Sequence, residues 1–213
     1  MDFNFFEQRI SKIKDLPLPG EISHYKMAPE VRIREWKEGK IIKKNPRKAA
    51  VMALFYPGLD NRTQLLCILR KTYEGVHSNQ VAFPGGKAEK EDGNLKITAL
   101  RETYEEVGVN PKDVEVVRTI SEVYIPPSNF EVQPFIGLYR NPKPFKLQES
   151  EVARILEIPL VDFLEDINLT TKKLSTSYAK EINVPAFKLN DYIIWGATAM
   201  MLSEIKDLLK QVL

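Results

Sequence analysis

Cysteine is nearly missing: Cys67 is the only one in 213 residues. An internal disulfide or a multi-cysteine zinc site needs at least two, so both are excluded. Inside the apolar run Leu65-Leu66-Cys67-Ile68-Leu69, Cys67 reads as core and not as a nucleophile. An excess of charge is missing too. Lys+Arg 31 against Asp+Glu 29 leaves +2, too near neutral for wholesale nucleic-acid binding. No long hydrophobic run exists. The longest nearly apolar stretch, Tyr192 to Leu202, falls far short of the ~20 residues that span a bilayer. The first residues lack the basic-then-apolar order of a secretory signal, and Gln211-Val212-Leu213 is not a peroxisomal address. Repeats and low-complexity tracts are absent. These absences lead to the expectation of a soluble cytoplasmic protein in a reducing compartment, without membrane or nucleic-acid partners.

What is present suits a globular chain. With 43% hydrophobic and 28% charged residues, it has material for a core, and its length fits one domain with an appended arm. Phe3, Phe6, Ile10 and Ile13 recur at helical spacing, and Pro17, Pro19 and Gly20 then break the pattern. Residues 21–46 are polar, basic and rich in turn signals, and read as an arm wrapped on the domain. The division expected is therefore 1–46, helix and basic arm, and 47–213, the domain. Strand-like runs at 49–56 and 64–69 flank Pro57-Gly58-Leu59-Asp60-Asn61, a hairpin signal. A short strand ends at Pro84-Gly85-Gly86, a helix runs from about Asn94 to Val107, and Gly108 stops it. Further strands are expected at 114–124, 131–139, 153–158, 168–175 and 182–189, with a last helix from about Gly196 to Leu213. Trp195, beside that helix start, reads as core packing ahead of adenine stacking. Strands and helices at irregular intervals favour an α+β fold, a mixed sheet flanked by helices.

The informative segment is Arg101-Glu102-Thr103-Tyr104-Glu105-Glu106-Val107-Gly108. On a helix, with Glu102 at zero, Glu106 falls at about 40° and Glu105 at about −60°, so three carboxylates share one face. Ile97, Leu100, Tyr104 and Val107 fall opposite and are expected to form the core face. Arg101 can pair with Glu105 four residues on. Such a face is either solvated or a hard-cation site with oxygen ligands. Gly85-Gly86 just upstream favours the second reading. A backbone carbonyl there can reach a metal, and glycine lets a phosphate approach closely. Arg70, at a strand end, can bind phosphate bidentately or form a surface ion pair. His77 is either a phosphate contact or an incidental loop histidine. The run Lys40, Lys43, Lys44, Arg47, Lys48 can screen an anionic substrate or simply be solvated.

Gly86 followed by Arg101-Glu102-x-x-Glu105-Glu106-x-Gly108 resembles the Nudix box, the signature of hydrolases that cleave nucleoside diphosphates linked to another moiety. Five fixed residues at average usage would recur by chance in roughly one chain in several thousand. The intervening acid is Asp92, and eight residues, Gly93 to Leu100, separate it from Arg101, one more than the general pattern. That insertion is a feature of the coenzyme A pyrophosphatase branch. The same branch is resembled by Leu65-Leu66-x-x-x-Arg70 with His77, by Val81-Ala82-Phe83-Pro84-Gly85-Gly86, by Glu151-Val152 with Glu157-Ile158-Pro159-Leu160, and by Ile194-Trp195-Gly196-Ala197-Thr198-Ala199. Gly75 and Asn79 depart from it, standing where an arginine and a glycine are usual.

The resemblance implies a Nudix-like α/β/α sandwich. It implies Mg²⁺ or Mn²⁺ held by Glu102, Glu106 and Glu105, with Gly85 adding a carbonyl, and Arg101 among the catalytic residues. Gly86, Arg70 and His77 would contact a small nucleotide substrate, and Glu151, ahead of Glu149, is the candidate general base. The implied reaction splits coenzyme A or its esters into 3′,5′-ADP and 4′-phosphopantetheine or its acyl form. ADP-ribose, dinucleotides or other nucleotides are alternative substrates, and a Nudix-fold binding module without catalysis is the rival of another class. The N-terminal helix and basic arm can support a homodimer.

Overall fold

The computed structural model describes residues 1–71, 80–176 and 179–213. Helix α1 (Phe3–Ile10) is capped by Asp2, whose carboxylate accepts from the Phe5 amide at 3.1 Å. The arm forms two short helices, α2 (Glu21–Tyr25) and α3 (Glu30–Lys37). Strands β1 (Arg47–Pro57), β2 (Thr63–Arg70), β3 (Val81–Ala82) and β4 (Gly85–Lys87) lead to helix α4 (Leu95–Val107). Strands β5 (Glu115–Thr119), β6 (Val123–Ile125), β7 (Phe130–Leu138) and β8 (Val152–Pro159) follow, then the short helix α5 (Leu160–Leu164). The chain ends with β9 (Leu169–Thr176), β10 (Ala179–Leu189), β11 (Tyr192–Trp195) and helix α6 (Gly196–Leu209).

Strand β1 organises the main sheet. It runs parallel to β7, from Arg47 opposite Phe130 to Phe55 opposite Leu138, and antiparallel to β2 and β4. Strand β2 also carries β3 and β8, and β7 carries β5 and β6. The sheet is therefore mixed, as an α+β chain requires. Strands β11, β10 and β9 form a second, antiparallel sheet of three.

Alternation along β1 separates two cores. Ala49, Ala53 and Phe55 face a cluster with Phe3, Phe6 and Ile10 of α1 and Leu202, Ile205 and Leu209 of α6. Ala50, Met52, Leu54 and Tyr56 face the other way, onto Ala99, Leu100 and Val107 of α4. Helices thus cover both faces, giving the α/β/α sandwich. Cys67 is fully buried in the first core, and burial pushes its thiol up, away from reactivity. Among the described residues no helix is long and apolar enough to cross a membrane.

Three features differ from the sequence expectations. The run expected as one strand over 114–124 divides into β5 and β6. Between them Ser121 turns its amide and hydroxyl to Glu204 of α6, at 3.2 and 2.7 Å. The exposed face of α4 is rotated: Ile97 and Tyr104, expected in the core, are 44% and 53% exposed, whereas Ala99, Thr103 and Glu106 are buried. Small residues at 99 and 103 let the helix lie close on β1, which carries Glu106 inward. Strands β4 and β11 had no distinct signal, being short and paired only through their neighbours.

Candidate active site

Helix α4 starts where the Asn94 side chain accepts from the Ile97 amide at 3.1 Å and ends at Gly108, whose left-handed backbone stops it. Between these ends it presents Glu102 and Glu106 to the β3–β4 turn, while the exposed Glu105 turns to Arg101. Gly86 leaves room for that approach. A Cβ built on it would lie 2.5 Å from the Glu102 carboxyl group, so a larger residue would push this carboxylate off β4. Gly85 is equally constrained by its φ of 152° and by the Ala50 carbonyl, 2.3 Å from where a Cβ would stand.

Two arginines organise the carboxylates. Arg101 grips Asp92 with both sides of its fork, Nε to Oδ1 at 2.7 Å and Nη2 to Oδ2 at 2.9 Å. Its Nη1 donates to Glu102 Oε1 and to Glu105 Oε2, each at 3.0 Å, and Nη2 also reaches the Lys87 carbonyl at 3.1 Å. Asp92 is itself buried and accepts from the Thr98 hydroxyl and the Glu89 amide. The Arg101 guanidinium holds its carboxyl well below the usual carboxylate range. Arg70, from the end of β2, donates through Nη1 to Glu106 Oε1 at 3.1 Å and to the Gly85 carbonyl at 3.4 Å. Its Nη2 stands 3.9 Å from Glu151 Oε2. The Gly85 amide donates to the other Glu106 oxygen at 2.8 Å.

Glu106 is 1% exposed. Burial pushes its carboxyl up to about 7, against the opposing pull of Arg70 and the Gly85 amide, while Glu102 and Glu151 push the same way as burial. Burial likewise raises Glu102, with Arg101 opposing. Four glutamates, Glu102, Glu105, Glu106 and Glu151, thus stand with two arginines, Arg70 and Arg101. That donor set, carboxylates and a glycine carbonyl, fits a hard divalent cation. Among the described residues, no three His, Cys, Asp or Glu side chains already converge as a ready ligand cage. Glu102 and Glu105 are turned to Arg101, and Glu106 to Arg70.

The structure thus brings Arg70, Gly85, Gly86, Arg101, Glu102, Glu105, Glu106 and Glu151 together. His77, with Gly75 and Asn79, lies outside the described residues. Arg70, expected at a phosphate, lies on Glu106 and the Gly85 carbonyl. The clamping role of Asp92 and Thr98 went unread. The spacing of Asp92 from Arg101 held a signal for it, but only the folded turn shows that the two side chains meet. Trp195, expected in the core, is half-buried and borders a cavity of about 750 Å³ that opens beside Arg70, Gly85, Gly86 and Lys87.

Residues 46–170 match the family model described as NUDIX domain. The chain is 33% identical over 162 residues to Nudix hydrolase 22, chloroplastic, of Arabidopsis thaliana, covering 74% of this chain and 53% of that protein. It is 34% identical over 155 residues to the peroxisomal coenzyme A diphosphatase ndx-8 of Caenorhabditis elegans, covering 72% of this chain and 64% of that one. The chain thus spans about half to two thirds of the length of these relatives. A solved structure of a C. elegans Ap4A hydrolase binary complex has the same fold, with a TM-score of 0.52 at 16% identity, over 78% of this chain and 98% of that one. Divalent metal ions are general to the chemistry of the matched family.

Proposed function

This chain belongs to the Nudix family, and from that membership we propose that it is a metal-dependent hydrolase of a pyrophosphate linkage in a nucleoside diphosphate derivative. The substrate in this reading is coenzyme A or its esters, and the products are 3′,5′-ADP and 4′-phosphopantetheine or its acyl form. The carrying observation is that α4 sets Glu102 against Gly86 and Glu106 on the Gly85 amide, beside a large cavity that these two glycines line. The choice of coenzyme A is supported by the branch-like residues around Arg70, Pro84 and Trp195 and by the likeness to a relative named a coenzyme A diphosphatase.

Glu102 and Glu106 are the principal holders of the ion, Mg²⁺ or Mn²⁺, with Gly85 O beside them and Glu105 either a further ligand or the partner of Arg101. When bound, such an ion neutralises pyrophosphate oxygens and makes a water acidic enough to attack phosphorus. The chain's own part is geometric and protonic. Asp92 fixes Arg101, Arg101 fixes the Glu102 carboxylate, and Gly86 leaves room for that carboxylate. Glu151 is the proposed general base. Its side chain is about half exposed, close to Arg70, and its carbonyl accepts from the Lys71 amide at 2.8 Å, which ties it to the end of β2. A cytoplasmic setting belongs to the same reading. A homodimer would use a surface other than the apolar face of α1, which is buried within the chain.

The test compares the protein with Glu106→Gln on coenzyme A, ADP-ribose and NADH, each with Mg²⁺, Mn²⁺ or EDTA. Metal-dependent release of 3′,5′-ADP, reduced at least a hundredfold in the variant, is the expected result. Cleavage of ADP-ribose or NADH alone would replace the substrate, and no turnover at all would favour a binding module.

A further inference from the structure

Arg70 and Arg101 both reach the carboxylates of α4, but different groups hold them in place. Arg101 is gripped chiefly by Asp92, with the Lys87 carbonyl as a further acceptor, and neither is a proposed holder of the ion. Only its Nη1 serves Glu102 and Glu105. Among the described residues, the Arg70 guanidinium meets Glu106 Oε1 at 3.1 Å, the Gly85 carbonyl at 3.4 Å and Glu151 Oε2 at 3.9 Å. The first two are oxygens that the ion itself needs, and a single nitrogen, Nη1, touches both. The other Glu106 oxygen accepts from the Gly85 amide at 2.8 Å, so Oε1 is the oxygen turned to a cation. We propose that Arg70 and the divalent ion compete for Glu106 Oε1 and the Gly85 carbonyl, and that the guanidinium, once displaced, holds a phosphate of the substrate.

Charge decides the exchange. Glu106 is buried, and a buried carboxylate left without a cation is costly, so one positive group or the other belongs there. A guanidinium spreads one charge over a planar fork, whereas a divalent ion concentrates two on its oxygen ligands. Both cannot sit within bonding distance of Oε1 without like-charge repulsion at close range. Arg101 stays because Asp92 holds it, and Arg70 leaves because its partners are the ion's own. The movement is confined to the side chain. The Arg70 amide donates to the Gln80 carbonyl at 3.0 Å, and the Lys71 amide donates to the Glu151 carbonyl at 2.8 Å, which pins the backbone at this strand end. The Arg70 side chain is 22% exposed and borders the cavity that Gly85 and Gly86 also line, so it has room to turn. There its fork is open to two oxygens of a phosphate. The order of events follows: ion first, anion second.

This inference rests on the reading of Glu102 and Glu106 as holders of the ion, and its test separates the two. Phenylglyoxal attacks accessible guanidinium groups, and peptide mass spectrometry follows Arg70 and Arg101 individually. The full chain is treated in EDTA, in Mn²⁺, and in Mn²⁺ with inorganic phosphate. Mn²⁺ should speed the modification of Arg70 about fivefold or more, as a shift from held to free requires, and leave Arg101 nearly unchanged. Added phosphate should then protect Arg70 again. Calorimetric titration should show Arg70→Met binding Mn²⁺ about tenfold more tightly than the unmodified chain, the worth of one charge-assisted hydrogen bond. Lys87→Met, which removes a charge from the same turn, should change that affinity far less. If Mn²⁺ binds but Arg70 reacts no faster, or if folded Arg70→Met binds it no more tightly, the proposal falls and the metal reading stands. Modification sped by Mn²⁺ but indifferent to phosphate strikes out the phosphate half. Binding of Mn²⁺ by Arg70→Met alone supports the competition in its strongest form. Binding by neither chain overturns the metal reading and the proposal together. The modification experiment needs no variant, so it decides the matter even where a thermal melt shows Arg70→Met unfolded.

Discussion

Arg101 commits its whole guanidinium fork to the folded chain, and Asp92 takes the larger share of it. Glu102 and Glu105 are oriented through that clamp, so a change that leaves every proposed metal ligand in place can still disturb the site. Asp92→Asn replaces one accepting oxygen by an amide that faces the arginine donor to donor. Partners that orient metal ligands are typically worth 10–100-fold, and a loss of about that size is expected in metal affinity and kcat. Calorimetric Mn²⁺ titration together with steady-state kinetics checks it, and unchanged values for both would remove Asp92 from the site. The acidic residues themselves were legible from their spacing, because a helix fixes the angle between positions. The inward rotation of Glu106 was not. It depends on how closely Ala99 and Thr103 let α4 settle on the sheet, which one helix's periodicity cannot reveal. Asp92 stood in the sequence with its irregular spacing, yet a contact across a turn carries no periodic signature.

At the scale of elements, the arm is held by a long-range polar contact more than by its own propensity. Helices α2 and α3 are short and polar, and nothing in residues 21–46 discloses that His24 meets Glu204 across 180 positions. Burial pushes the Glu204 carboxyl up, but hydrogen bonds from His24 and Ser121 outweigh it and leave it below its ordinary value. A carboxylate lowered in the fold contributes stability that is fully present above its unfolded value near 4.5 and is lost as pH falls toward the folded one. The arm should therefore loosen as the solution is acidified below about pH 4.5. Glu204→Gln should lower the thermal midpoint at pH 7 and flatten its fall between pH 5 and 3. Melting curves across that range, with Trp36 emission as the local probe, decide the matter, and parallel wild-type and variant pH curves would count against it. By contrast β1, β2 and β7 were readable because apolar runs between turn residues have few other folds open to them. Strands β4 and β11 exist through their partners, and that information is tertiary.

At the scale of the whole molecule, β1 joins two cores that share no side chain. Leu54 and Phe55 are adjacent and both fully buried, yet one packs toward α4 and the other toward α1 and α6. Leu54→Ala and Phe55→Ala should each cost about 2–5 kcal/mol. The first should weaken metal binding as well, since it loosens the seat of α4, and the second should leave metal binding nearer wild type. Urea midpoints and Mn²⁺ titrations of the two variants measure both effects, and an identical change in metal affinity would argue against separate cores. The sandwich was legible as a class from the irregular order of strands and helices. Which residues of β1 serve which layer follows from strict alternation once its register is known.

The fastening of α2 to α6 also orders events during biosynthesis. Synthesis runs from N- to C-terminus, so the arm is made well before Glu204 and Asp207, its partners about 180 positions later. Helix α4 and the strands it packs on precede α6 in the chain, and the arm has nothing to close upon until α6 is made. A nascent chain therefore acquires the carboxylates of α4 before the partner that fixes the arm.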